Sequence, residues 1–177
     1  MDKTRIEAKM KELSKIISYE FKDINHLSAA MCGERLQRSE NDGKNNKELK
    51  NEALALVGDA ILKFLFADYL YSSSLNKGTP RKGEITKIKA ILESNIFYYT
   101  IEEGAGILKF AYNDKHFASD PDIKEHEKIP NNNHSSYLEA IAAAIYYDGG
   151  FDDVKKWFEK WLHPKYQEII KHSKQDE

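Results

Sequence analysis

Asp59 and Glu139 each stand within an otherwise apolar helical run, Asp59 in NEALALVGDAIL (Asn51 to Leu62) and Glu139 in SYLEAIAAAIYYDGGF (Ser136 to Phe151). A carboxylate in such a setting is costly unless a partner or a metal compensates it. A divalent cation shared by the two acids would do so, and it would bring Lewis-acid chemistry with it. Gly58, beside Asp59, costs a helix about 1 kcal/mol relative to alanine and marks the close approach of another backbone. Ala140, Ala142, Ala143 and Ala144 offer a matching small face, so the two helices are expected to cross at short range and carry Asp59 towards Glu139.

Glu139 also has a simpler reading. Ser136-x-x-Glu139 is a capping-box spacing, in which the glutamate reaches back to the cap amide. Glu52 lies two helical turns before Asp59 on nearly the same face, and the N-terminal helix dipole alone would favour an acid there. Lys77, Arg81, Lys82, Lys87 and Lys89 form a basic strip broken only by Glu84. Such a strip can contact phosphates even on a chain of net charge -2, although a solvated helix face has the same composition. His134, beside Asn131 to Asn133, lies in a polar segment where a histidine is more often inert.

The elements that must position these groups are helical. Ile6, Met10, Leu13 and Ile17 follow helical spacing, and a short helix is expected over His26 to Cys32. QRSENDGKNNKE, Gln37 to Glu48, reads as a loop. A long helix should run from about Asn51 to about Tyr71 and stop at Ser72-Ser73-Ser74. A second should run from about Gly83 to Glu102, with Ile85, Ile88, Leu92 and Ile96 on one face. Asp114 to Asn133 reads as an irregular excursion, and Gly149-Gly150 as a helix stop. Phe151, Val154, Trp157, Phe158, Trp161 and Leu162 mark a last amphipathic helix that Pro164 should bend or break. No segment alternates as a strand would, so the expected class is all-α.

The 177 residues, 41% hydrophobic and 32% charged, suffice for one well-buried domain over residues 1–177, with 162–177 as a C-terminal helix and tail. The single cysteine, Cys32, excludes an internal disulfide framework, and no Cys/His cluster suggests structural zinc. Neither a signal-peptide core nor a membrane span is legible, so a cytoplasmic protein without a membrane partner is expected.

NEALALVGDAIL resembles the signature helix of ribonuclease III domains, whose pattern runs N-E-x-L-E-x-L-G-D-A. YEFKDINHLSAAM resembles the family's early Tyr-x-Phe and Leu-x-x-Ala stretch. GEITKIKAIL is similar to its G-x-L-S-x-x-R-A-x-L helix, with Thr86 and Lys89 in place of Ser and Arg. YLEAIAAAIYYDGGF resembles its E-A-x-x-G-A-x-Y-x-D-G-G-F segment. The resemblance spans roughly Tyr19 to Trp161, and four ordered segments make it specific. It departs from the family at the acids. Ala55 stands for the second glutamate of the signature, Ser136 for the aspartate before the last glutamate, and Lys82 for an acid before Gly83. Of four acids usually gathered at the metal, Asp59 and Glu139 remain. The Mini-III branch, which lacks the double-stranded-RNA-binding domain, has an A-L-A-x-x-G-D-A helix similar to Ala53 to Ala60, and hydroxyl residues before its glutamate as at Ser136. The D-G-G-F ending is closer to ordinary ribonuclease III.

The resemblance implies an all-helical endonuclease domain without a separate RNA-binding module. It also implies a homodimer through the signature helix, with Leu56 at the family's interface aromatic. Double-stranded or structured RNA, such as an rRNA precursor, is the implied substrate, and magnesium, with manganese as the alternative, the implied metal. Asp59 and Glu139 are then the catalytic and metal-binding pair, Glu52 and Ser136 supporting residues, and Lys82, Lys87 and Lys89 the RNA contacts. The competing expectation is an inactive relative of the same fold: an RNA-binding or ribosome-associated protein, or a scaffold in a heterodimer.

Overall fold

The computed structural model describes residues 2–33, 50–76, 78–79, 81–92, 94–113, 116–121 and 137–173. In chain order these form α1 (Lys3–Ile16), α2 (Ile24–Met31), α3 (Lys50–Leu75), α4 (Lys82–Leu92), α5 (Asn95–Gly104), a short 3-10 turn (Leu108–Phe110), α6 (Tyr137–Gly149), α7 (Phe151–Trp157), a π-helical turn (Phe158–Leu162) and α8 (His163–Ser173). The all-α expectation holds. Among the described residues the nearest approach to a sheet is a pair of isolated bridges, Cys32 with Tyr112 and Tyr112 with Phe117.

Three helix starts have a plain chemical cause, a side-chain oxygen that accepts from a first-turn amide. Asp2 accepts from Thr4 N at 3.2 Å, Asp23 from Asn25 N at 2.9 Å and Ser94 from Phe97 N at 3.3 Å. The Ser94 cap divides the expected helix over Gly83 to Glu102 into α4 and α5. Its supposed common face does not form: Leu92 is fully buried, whereas Ile88 and Ile96 are exposed. Ser72 to Ser74 do not end α3 either. The Ser74 hydroxyl donates to the Leu70 carbonyl one turn back, at 2.7 Å, and the helix runs on to Leu75. Pro164 also fails to stop its helix. It sits in the first turn of α8, directly after the π-helical turn, where a widened backbone absorbs the missing amide.

At the centre lies α6. Leu138 and every residue from Ala140 to Ile145 are fully buried, as expected of a helix apolar all round. Packed on it are α3, the most extensive partner, together with α2, α5 and α7. From the far side Trp157 and Trp161, stacked 5.4 Å apart, donate their indole N–H groups to Ile17 O and Ile16 O. These bonds satisfy carbonyls at the end of α1 and tie the C-terminal helices to the N-terminal one. Among the described residues no helix is long and apolar enough to cross a membrane. His134, Ser136 and the Gln37 to Glu48 segment lie outside the described residues, as does most of Asp114 to Asn133.

Candidate active site

The crossing of α3 and α6 is as close as Gly58 suggests. A methyl group on Gly58 would overlap the carbonyl oxygen of Glu139, so only glycine lets the first turn of α6 sit there. Contact is made by the backbone of Glu139 itself, and the alanines that follow it in α6 are fully buried. Asn51, buried at the start of α3, anchors that helix by donating its side-chain amide to the Ala30 carbonyl of α2.

This crossing sets the carboxyl of Glu139 against that of Asp59. Burial, and then the Asp59 carboxylate with its hydrogen bond, push Glu139 up to about 7, with Lys63 opposing. Lys63, one turn beyond Asp59, places Nζ 2.7 Å from Asp59 Oδ2. Its spacing was legible as an i,i+4 pair, but its place beside a second acid was not, because that depends on α6.

The start of α6 has a second acid. Glu102 of α5 is fully buried, and its Oε1 accepts from the amide of Leu138 at 2.6 Å. A remote carboxylate thus occupies one amide of the turn that carries Glu139, where the helix dipole favours negative charge. In the sequence, Glu102-Glu103 before a glycine resembles an ordinary exposed helix end. The capping-box partner of Glu139, Ser136, lies outside the described residues.

Other expected site residues are less gathered. Glu52 is exposed in the first turn of α3. Ala55, one turn before Asp59, is 6% exposed and supplies no third carboxylate, and Leu56 is 74% exposed. Lys82 and Lys89 are seven apart on α4 and share a face, whereas Lys87 lies roughly 140° around the helix. Lys82 and Lys87 are exposed and Lys89 is half-buried, on a helix that packs against α3.

Among the described residues no group of three or more His, Cys, Asp or Glu side chains converges as a metal cage. The Asp59–Glu139 pair nevertheless suits magnesium or manganese. It is built of hard oxygen donors, one of which burial and then its neighbour keep from ionising, so a bound cation would favour the ionised pair. Two protein carboxyls match an ion that keeps several waters.

A family model described as the ribonuclease III domain matches residues 52–150. The chain is 30% identical over 144 residues to Ribonuclease 3 of Fusobacterium nucleatum, covering 81% of this chain and 57% of that protein. It is 29% identical over 173 residues to Ribonuclease 3 of Desulfotalea psychrophila, covering 97% of this chain and 65% of that protein. The chain therefore spans less than two thirds of the length of these relatives. Two solved structures of the nuclease domain of ribonuclease III from Campylobacter jejuni superpose with TM-scores of 0.66 and 0.64 at 23% identity. The superpositions cover 89% and 88% of this chain and 99% and 95% of those chains. One of those structures is described for flexibility in a region involved in dimer formation.

Proposed function

The chain belongs to the ribonuclease III domain family, and from that premise we propose that it is a metal-dependent endoribonuclease that hydrolyses phosphodiester bonds in double-stranded or structured RNA during RNA processing. The observation that carries this reading is the meeting of Asp59 and Glu139 at the Gly58 crossing. Their carboxyl oxygens would hold one magnesium or manganese ion between α3 and α6. When bound, such an ion supplies Lewis acidity, acidifying water and neutralising charge on phosphate oxygens.

The residues of the chain divide the remaining work. Ionised Asp59 and Glu139 fix the reacting centre, and Glu139 must lose the proton that burial and Asp59 help it retain. Glu102 holds the turn from which Glu139 projects. Ala55 adds no charge, so the metal should bind weakly, with activity requiring concentrations on the order of millimolar. Lys82, Lys87 and Lys89 would contact phosphates, giving duplex recognition by backbone and shape with little base preference and a steep dependence on salt.

Cleavage of a labelled RNA duplex in magnesium tests this, comparing the wild type with Asp59→Asn and Glu139→Gln. The wild type should cut, and each variant should lose on the order of a hundredfold in rate or more. One observation favours the alternative of a non-catalytic RNA-binding, ribosome-associated or heterodimer-scaffold protein: Asp59 already has a cationic partner in Lys63. Absent cleavage in all three proteins, with RNA still bound, would select that alternative.

A further inference from the structure

The Asp59–Lys63 ion pair is, by spacing, one of the commonest contacts on a helix surface, and most such pairs contribute little. Its position distinguishes it. The carboxylate it engages is the one set against Glu139 across the α3–α6 crossing, and the charge of Lys63 is felt at Glu139 as well. This two-acid centre therefore carries a cation of its own.

A divalent ion at this centre would need the oxygens of Asp59, one of which lies 2.7 Å from Lys63 Nζ. Two cations cannot share that oxygen without strong mutual repulsion. Lysine is suited to yielding, since its charge is a compact ammonium on a flexible stem, and the Lys63 side chain is 46% exposed, with solvent open to it on leaving. We propose that Lys63 is a tethered counter-ion of the Asp59–Glu139 pair, which the incoming divalent cation must displace from Asp59, so that Lys63 sets the metal affinity of the site. This rests on the reading of the pair as a metal centre given under Proposed function. It makes the weakness of the site a consequence of an added cation as well as of missing acids.

Metal uptake by the full chain, followed through the electron paramagnetic resonance signal of free Mn²⁺, tests the proposal without reference to turnover. Lys63→Met keeps the length and apolar stem of the side chain and removes its charge. It should bind Mn²⁺ about tenfold more tightly than the wild type, the order expected on removing a unit charge a few ångströms from a divalent ion near solvent. Lys63→Arg keeps the charge and should bind no more tightly than the wild type, while Asp59→Asn should abolish the tight binding gained by Lys63→Met when the two changes are combined.

Equal or weaker binding by Lys63→Met overturns the proposal. So does a lack of Mn²⁺ uptake by every variant at concentrations on the order of 10 mM, well above the weak range for oxygen sites. Cleavage of duplex RNA, measured separately, keeps the two readings apart. Tighter Mn²⁺ binding by Lys63→Met in a protein that cuts no RNA would uphold the counter-ion and refute the nuclease. Cleavage that depends on Asp59 and Glu139, with Mn²⁺ affinity unmoved by Lys63→Met, would do the reverse.

Discussion

Glu139 binds a proton more tightly in the folded chain than in the unfolded one, because burial and then Asp59 raise its carboxyl from 4.5 to about 7, against the pull of Lys63. The sign of the linkage follows. Its contribution to stability is fully present below about 4.5 and is lost as pH rises through about 7. In the absence of divalent ions Glu139→Gln, which cannot ionise, should be no more stable than the wild type at about pH 4 and more stable at about pH 8. With the group's partial exposure discounted, the gain is on the order of 1 kcal/mol, or about 2–4 °C in Tm. Thermal unfolding by circular dichroism in chelator at the two pH values checks this; a pH-independent difference would contradict the assigned cause. Asp59 and Glu139 were legible as residues needing a partner because a charge inside an apolar run is conspicuous. Lys63 and Glu102 were not, since the sequence presents both as ordinary helix-surface charges, and their roles arise only where α6 meets α3 and α5. In the sequence Asp148 figures only in the D-G-G-F ending, with no partner of its own assigned. In the fold it accepts from Asp23 N at 2.8 Å, Lys22 N at 3.0 Å and the Tyr19 hydroxyl at 3.0 Å. Burial pushes its carboxyl up, but these donors outweigh burial and hold it below the usual aspartate range.

At the scale of elements, the α3–α6 crossing decides the geometry of the centre, and two helical glycines allow it to be separated from helix propensity. Gly58 has no room for a methyl group, whereas a Cβ on Gly83 of α4 would meet nothing within 4 Å. Alanine is the better helix former by about 1 kcal/mol at either place. Gly83→Ala should therefore raise the Tm or leave it unchanged. Gly58→Ala should lower it through overpacking worth about 1–3 kcal/mol, and should cost cleavage by moving the backbone of Glu139. Equal stability of the two variants would mean that α6 can retreat without penalty. The need for this approach was legible from a glycine inside an apolar helix, but its contact atom was not. Alanine-rich composition points to a small face, whereas the carbonyl of Glu139 is reached only after the register of the two helices is known. Helix ends were harder to read for a related reason. A serine can cap a new helix, as Ser94 does, or bond back within a continuing one, as Ser74 does. Composition is the same in both cases, and only the backbone context separates them.

Over the whole molecule, the signature helix leaves an apolar face towards solvent. Leu56, Phe64, Tyr71 and Leu75 of α3 are 74%, 55%, 52% and 50% exposed. At 100° per residue the last three fall within roughly 40° of one another, with Leu56 on the flank of the same broad face. Ile88 and Ile91 add exposed apolar surface on α4, the helix that packs beside it. An exposed apolar face of this kind marks an interaction site more often than a solvated face. A second copy of the chain satisfies it most simply, because a two-fold pairing sets the same helix against itself. The homodimer through α3 that the family resemblance implies then has a direct test. Leu56→Asp replaces the most exposed apolar side chain of the stripe with a charge, at a position outside the buried core. Sedimentation equilibrium should give a dimer for the wild type, and for Leu56→Asp a dissociation constant about tenfold weaker or more, as expected for a charge desolvated at a helix-to-helix contact. The variant's Tm, extrapolated to low protein concentration, should match that of the wild type monomer. A dimer of unchanged affinity would move the interface off this face, and a monomeric wild type would leave the stripe to a different partner. If the centre is completed across the two-fold, cleavage per chain should fall with the dimer fraction as the protein is diluted; a rate per chain independent of dilution would assign each Asp59–Glu139 pair a self-sufficient site.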